Sequence, residues 1–144
     1  MTLLEDLSAF LEPDYNENYW SDDAVLIAND MVTKLQPEDW EKLAASWESR
    51  KPGWQRRLAD ALDTAPIERG MPIITRMLLS SDDSVAIAAV GTLSAYIAQG
   101  YPEPISQLAI ERIKSLSKLS RIYELSFSSL IKRFDRNPEL PESR

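Results

Sequence analysis

The 144-residue chain contains no cysteine and no histidine, and these two absences exclude a large share of protein chemistry. Without thiol or imidazole there is no disulfide framework, no zinc site of the Cys/His type, no Ser-His-Asp triad, no thiol nucleophile and no imidazole general base. A cysteine-free chain also fits a reducing, cytoplasmic setting. Glycine is scarce as well: Gly53, Gly70, Gly91 and Gly100 each stand alone, so no glycine-rich loop is there to cradle a phosphate. Charges interrupt every apolar run before it approaches the roughly 18 residues that a membrane span needs. The opening Met1-Thr2-Leu3-Leu4-Glu5-Asp6 has no base ahead of its apolar positions and does not read as a secretory signal. The expectation is a binding protein and not an enzyme, with no catalytic residues, no metal and no cofactor.

What is present is ordinary globular material, 44% hydrophobic and 27% charged, in a length that suits one domain with a buried core. Helical periodicity runs through most of it. Leu3, Leu4, Leu7, Phe10 and Leu11 follow the i, i+3, i+4, i+7, i+8 pattern of an amphipathic helix, which Pro13 ends. Residues 14–20 read as a polar, aromatic loop. Ser21 is the expected N-cap of a second helix running to about Leu35, with Asp22 and Asp23 at its positive end. Pro37, Pro52 and Pro72 each suit the first turn of a further helix. Ser81 or Asp82 caps a sixth that ends at Gly100, a seventh begins near Pro102 or Pro104, and an eighth spans Ser120 to Phe134. No stretch alternates with period two, so no strand is assigned. The expected architecture is all-α with about seven or eight helices: one domain over residues 1–136 and a flexible tail over 137–144.

An internal repeat organises these helices. Ser21-Asp22-Asp23-Ala24-Val25-Leu26-Ile27-Ala28 recurs as Ser81-Asp82-Asp83-Ser84-Val85-Ala86-Ile87-Ala88, identical at six of eight positions. A shift of 31 places Trp40 on Met71, Leu43 on Ile74, Trp47 on Leu78, Trp54 on Val85, Leu58 on Ala89 and Leu62 on Leu93. Two helices per period of about that length read as stacked helical hairpins, each burying on its neighbours the apolar face it cannot bury alone. Asp82, Val85, Ala89 and Leu93, preceded by Met77-Leu78-Leu79-Ser80, resemble the second helix of a HEAT repeat and the end of its first. The resemblance covers about Pro37 to Gly100 and implies a short right-handed HEAT-like solenoid. Ala86 stands where such units often carry arginine, and the register is poorly kept after Gly100.

Charge is unevenly distributed over the net −7. Residues 1–48 hold twelve acids against two bases, while the remaining 96 hold eleven acids against fourteen bases. An acidic end repels nucleic acid and steers basic proteins toward it. Asp22, Asp23, Glu38 and Asp39 are explained by the helix dipole; Glu12, Asp14 and Glu17 are not, and they cluster around a loop that carries Tyr15, Tyr19 and Trp20. Aromatic rings beside carboxylates suit a protein–protein contact. The candidate partner-binding residues are therefore Glu12, Asp14, Tyr15, Glu17, Tyr19, Trp20, Asp22 and Asp23. Against this stands the plainer reading that Tyr19 and Trp20 fold back onto the second helix as core. Trp40, Trp47 and Trp54 sit at repeat-core positions and are expected to pack. The C-terminal bases Arg112, Lys114, Lys118, Arg121, Lys132, Arg133 and Arg136 read as a solvated helix face, with head-to-tail contact between acidic and basic ends as a further possibility.

Small acidic helical-repeat proteins of this kind resemble one group of immunity proteins, the antidotes of contact-dependent inhibition and related bacterial toxin systems. The resemblance is general, without a diagnostic motif. It implies a stoichiometric inhibitor whose acidic face docks on a basic, nuclease-like toxin domain, with neither nucleic acid nor membrane as partner. The alternatives are a HEAT-like adaptor or assembly factor that offers a groove to another protein, and an enzyme resembling the helical-repeat DNA glycosylases. For the last, Tyr96, Tyr101 and Glu103 are the imaginable cleft residues, and the charge balance opposes it.

Overall fold

A computed structural model describes residues 2–101 and 105–136. Among these residues the protein is all-α, without strands. Eight helices of two turns or more are present: α1 (Leu3–Phe10), α3 (Val25–Thr33), α4 (Pro37–Ser46), α5 (Pro52–Ala61), α6 (Ile67–Met77), α7 (Asp83–Ala98), α8 (Gln107–Ser117) and α9 (Arg121–Arg136). A single turn, α2 (Glu17–Tyr19), leads through a π turn (Trp20–Ala24) directly into α3. The main packing follows chain order: α1 lies on α3 and α4, α3 on α5, α4 on α6, α5 on α7, α7 on α8, and α8 on α9.

Local chemistry explains most boundaries. Thr2 and Glu5 form a reciprocal capping box at the start of α1. Pro37 and Pro52 each occupy the first turn of a helix, where the missing N–H costs nothing. Asp82 caps α7 by accepting from the Ser84 and Val85 backbone N–H groups. At the other end of α7, Gly100 takes φ +98, and Tyr101 and Gly100 donate back to Tyr96 O and Ile97 O. That closure needs a left-handed residue, which glycine supplies without a Cβ penalty.

Three boundaries differ from the sequence expectation. Asn16, not Ser21, starts the second helical segment, because its side chain accepts from the Asn18 and Tyr19 backbone N–H groups five residues earlier. Pro72 lies inside α6, which begins at Ile67 after Pro66; the earlier proline wins because it stops the preceding 3₁₀ turn (Leu62–Thr64) while the apolar stripe of Met71, Ile74 and Met77 carries the helix past Pro72. Helix α8 begins at Gln107 with Ser106 as its cap; the expected start near Pro102 or Pro104 lies outside the described residues, as do Glu103 and the 137–144 tail.

The core runs the length of the packing order, and Trp40, Trp47 and Trp54 are all buried in it. Both members of each of the six pairs related by a shift of 31 are buried. The Ser-Asp-Asp recurrence behaves differently. Its first copy buries Ala24 and Ala28, whereas the second buries Val85 and Ala86 and leaves Ser84 exposed. The similar strings therefore turn different faces inward, and Asp82 caps a helix while Asp22 sits within the π turn.

Few glycines are available to close helices, and side chains from neighbouring helices take over that task. The C-terminal carbonyls of α5 and the turn after it accept from Thr92 Oγ1 (to Ala59 O, 2.5 Å), Asn29 Nδ2 (to Ala61 O, 2.9 Å) and Tyr96 Oη (to Leu62 O, 2.5 Å). Beyond α6, Ser80 O accepts from Arg112 Nη2 at 2.7 Å. These bonds satisfy helix-end groups that would otherwise be orphaned, and they also tie adjacent helices together.

Candidate functional site

The eight candidate residues occupy the end of α1, the loop after it, and the α2–π segment. Six of them (Glu12, Asp14, Glu17, Tyr19, Asp22 and Asp23) are exposed, Tyr15 is half-buried and Trp20 is buried. Trp20 is thus a correction to the expected contact set. Its indole Nε1 donates to Asp60 Oδ2 at 2.9 Å, and its ring stacks on Tyr15 with centroids 5.6 Å apart. Tyr15 in turn packs against Phe10 and Tyr19 and donates its hydroxyl to Phe10 O at 2.6 Å. Burial, reinforced by Tyr19 and opposed by the Arg57 charge, pushes the Tyr15 hydroxyl up. The aromatic cluster is chiefly an internal support, with Tyr19 its outward member.

The C-terminal end of α1 is anchored from α5. Trp54 Nε1 donates to Ser8 O at 3.0 Å, and Arg57 donates through Nε to Leu11 O at 2.7 Å and through Nη2 to Glu12 O at 3.1 Å. With the Tyr15 hydroxyl on Phe10 O, side chains close successive carbonyls at this helix end. Two of the candidate acids point into the same junction. Asp14 lies 3.5 Å from Arg57 Nη1, and Glu12 stands 3.6 Å from Arg50 and 3.7 Å from Lys51. Glu12 and Asp14 therefore serve the α1–α5 contact.

The remaining acids form a different group. In the π turn Val25 N–H reaches back to Trp20 O, widening the helix by one residue. This keeps Trp20, Ala24, Ala28 and Val32, spaced by four, on the buried side. The opposite side presents Tyr19, Asp22, Asp23, Leu26, Ile27 and Asp30, all exposed. Leu26, 64% exposed, and Ile27 are large apolar residues flanked by carboxylates. Asp30 pairs with Lys34 at 2.9 Å. Among the described residues neither Glu17, Asp22 nor Asp23 is matched by a basic side chain. In the sequence, Leu26 and Ile27 stand out only as members of the repeated Ser21–Ala28 string, with nothing to mark them as exposed.

Polar groups from α5 and the 3₁₀ turn after it hold this face from beneath. Besides Asp60 under Trp20, Asp63 accepts from Asn29 Nδ2 at 3.0 Å. Burial raises both carboxyls above the ordinary aspartate range; the Trp20 bond draws Asp60 partly back, and the Asn29 bond does the same for Asp63. A pocket of about 270 Å³ opens at this junction, lined by Tyr15, Glu17, Trp20 and Ser21 above and by Arg56, Arg57 and Asp60 below. Of the residues imagined for a glycosylase-like cleft, Tyr96 is fully buried with its hydroxyl on Leu62 O, and Glu103 lies outside the described residues. Among the described residues no group of three or more carboxylates could hold a metal ion, and no helix is long and apolar enough to cross a membrane.

No protein-family model, curated protein or solved structure matches the chain. The likeness to HEAT repeats therefore rests on the residues quoted for it.

Proposed function

We propose that the helices stack as a short HEAT-like array and that the protein is a stoichiometric binder of a basic protein, in the manner of an immunity protein that neutralises a bacterial toxin domain. The observation that carries this reading is the outward face of the π turn and α3. There Asp22 and Asp23 have no cation partner among the described residues, and Tyr19, Leu26 and Ile27 lie beside them in the open. Carboxylates accelerate encounter with a basic surface, and the adjacent apolar side chains supply area that water must leave on docking. The face is also preorganised: Trp20 on Asp60 and Asn29 on Ala61 O and Asp63 hold the segment to α5, which limits the ordering cost of binding. A groove of about 590 Å³ lined by Ile67, Met71, Pro72, Thr75 and Tyr101 gives the adaptor reading its footing.

The two readings separate in one experiment. The tagged protein is recovered from its native cells in wild-type form and as Asp22→Lys/Asp23→Lys, and retained proteins are identified and titrated with salt. One basic partner held one-to-one by the wild type, lost from the variant and released by salt, supports neutralisation and leads to a growth-rescue assay with that partner. Retention of the same partner by the variant at low salt overturns the assignment of this face. Several partners insensitive to the substitutions but displaced by Pro72→Glu, at an exposed position of the groove lining, would favour the groove.

A further inference from the structure

The chain carries a second exposed apolar strip, at its other end. Helix α9 packs chiefly on α8, and its free side presents Ile122, Leu125, Ser129, Lys132 and Arg136 at helical spacing, all exposed. Ile122 is 72% and Leu125 60% exposed, with Leu119 beside them at the start of the helix. Isolated apolar residues on a surface need no explanation, but Leu119 just before α9 and Ile122 and Leu125 on its outer face form a strip that no described residue covers. The charge around them is opposite in sign to that of the N-terminal end. Gln107–Arg136 holds seven bases and three acids. Two of those acids are already engaged internally, Glu124 with Arg121 at 2.6 Å and Asp135 with Lys114 at 3.0 Å.

We propose that the α9 strip docks on the acidic α2–α3 face of a second copy of this chain, in a head-to-tail contact. Each surface has what the other lacks. Tyr19, Leu26 and Ile27 lie beside Asp22 and Asp23 on one, and Ile122 and Leu125 lie beside Lys132 and Arg136 on the other. Pairing α9 with α9 instead would bring like charges together, which the same complementarity disfavours. A contact between two different surfaces is heterologous, so each copy retains one free acidic face and one free basic strip, and growth beyond a dimer is built in. Because the charges are solvent-exposed and the apolar strip is short, the association is weak and salt-dependent. It does not depend on the toxin-binding reading, although both use the acidic face, and a tight basic partner would displace the second copy.

Sedimentation equilibrium of the purified chain over a wide concentration range is the test. At about 25 mM salt, where screening is slight, the weight-average mass should climb above the 16.3 kDa of the monomer, and at about 0.5 M salt it should fall back toward that value. Asp22→Lys/Asp23→Lys and Lys132→Glu/Arg136→Glu should each weaken self-association about tenfold or more, and mixing these two variants should restore it. Ile122→Glu/Leu125→Glu should abolish it. All six positions are exposed, and circular dichroism checks that each variant stays folded. A chain that remains monomeric at the highest concentration and low salt overturns the proposal. So does association that survives Asp22→Lys/Asp23→Lys unchanged, since that outcome requires an interface without the acidic face.

Discussion

Replacing Arg57 with methionine tests how the N-terminal end of the protein is held. The guanidinium side chain is only 5% exposed, yet its ion-pair partner Asp14 is 98% exposed, so the pair itself contributes little, about 0–1 kcal/mol. The hydrogen bonds to α1 are another matter. Leu11 is fully buried, and its carbonyl accepts from Arg57 Nε at 2.7 Å. Losing a charged donor there costs about 1.5–3 kcal/mol, because the buried carbonyl is left unmatched. Glu12 is exposed, so its carbonyl, 3.1 Å from Nη2, rehydrates at the cost of a fraction of that. Methionine keeps most of the apolar stem and escapes the desolvation of the guanidinium, which offsets part of the loss. The expected net destabilisation is about 2–3 kcal/mol. At about 3 °C per kcal/mol for a domain of this size, Tm should fall by about 6–9 °C. Urea unfolding followed by tryptophan fluorescence measures this, with Asp14→Asn as the comparison at under about 1 kcal/mol and Arg57→Lys between the two. The reasoning is refuted if Arg57→Met costs less than about 1 kcal/mol, or if Asp14→Asn costs as much as Arg57→Met.

Other expectations follow from the same contacts. Trp54→Phe should destabilise by about 1–2 kcal/mol by orphaning Ser8 O, whereas Trp47→Phe should cost less, because Trp47 Nε1 is buried without a hydrogen-bond partner; equal losses in urea unfolding would contradict this. Gly70 faces the Tyr96 hydroxyl so closely that a Cβ would collide with it. Gly70→Ala should therefore cost about 2–3 kcal/mol despite better helix propensity, and Gly70→Ala/Tyr96→Phe should cost clearly less than the sum of the singles. Asp60 and Asp82 should show opposite pH behaviour. The Asp60 carboxyl is raised from 3.8, so its favourable contribution is complete below 3.8 and is lost as pH rises through the folded value; Asp60→Asn should gain stability relative to wild type toward neutral pH. The Asp82 carboxyl, lowered chiefly by the Ser84 hydrogen bond, contributes above 3.8 and loses that contribution as pH falls, so Asp82→Ala should cost about 1 kcal/mol at neutral pH and progressively less in acid. Parallel stability–pH curves for the two variants would refute both assignments.

Much of the fold was legible in the sequence because helix-end signals are local. Pro37, Pro52, Asp82 and Gly100 act on groups within a few residues of themselves, and the apolar spacing of the tryptophans marks them as core without knowledge of what they touch. Pro72 misled because the competing signal, Pro66, was not weighed against it, and a proline inside a helix is tolerated where an apolar stripe is strong enough. The start of α2 was missed for a similar reason: Asn16 and Ser21 are equally good caps in isolation, and the choice depends on where Trp20 finds Asp60, forty residues away. In the candidate site the carboxylates were readable as charge, but the partners that divide them were not. Arg50, Lys51 and Arg57 claim Glu12 and Asp14 only through the α1–α5 packing.

The π turn joins that division to the outward face. A regular α-helix through residues 20–32 would carry a spacing of four steadily around its axis, turning either Trp20 or Val32 out of the core. The one wide turn at Trp20–Ala24 absorbs part of that drift, so Trp20, Ala24, Ala28 and Val32 all remain buried. The same adjustment keeps Tyr19, Asp22 and Asp23 in line with Leu26 and Ile27 on the other side. Its stability rests on a side chain the sequence alone gives no reason to single out, because Asp60 accepts the Trp20 indole at the wide turn itself. Asp60→Ala should therefore disturb the outward face more than it disturbs the core. Hydrogen exchange should accelerate for the Ala24 and Val25 amides while those of α5 and α7 stay protected. Uniform acceleration across the chain would mean that Asp60 supports the whole domain and that the π turn is held by other contacts.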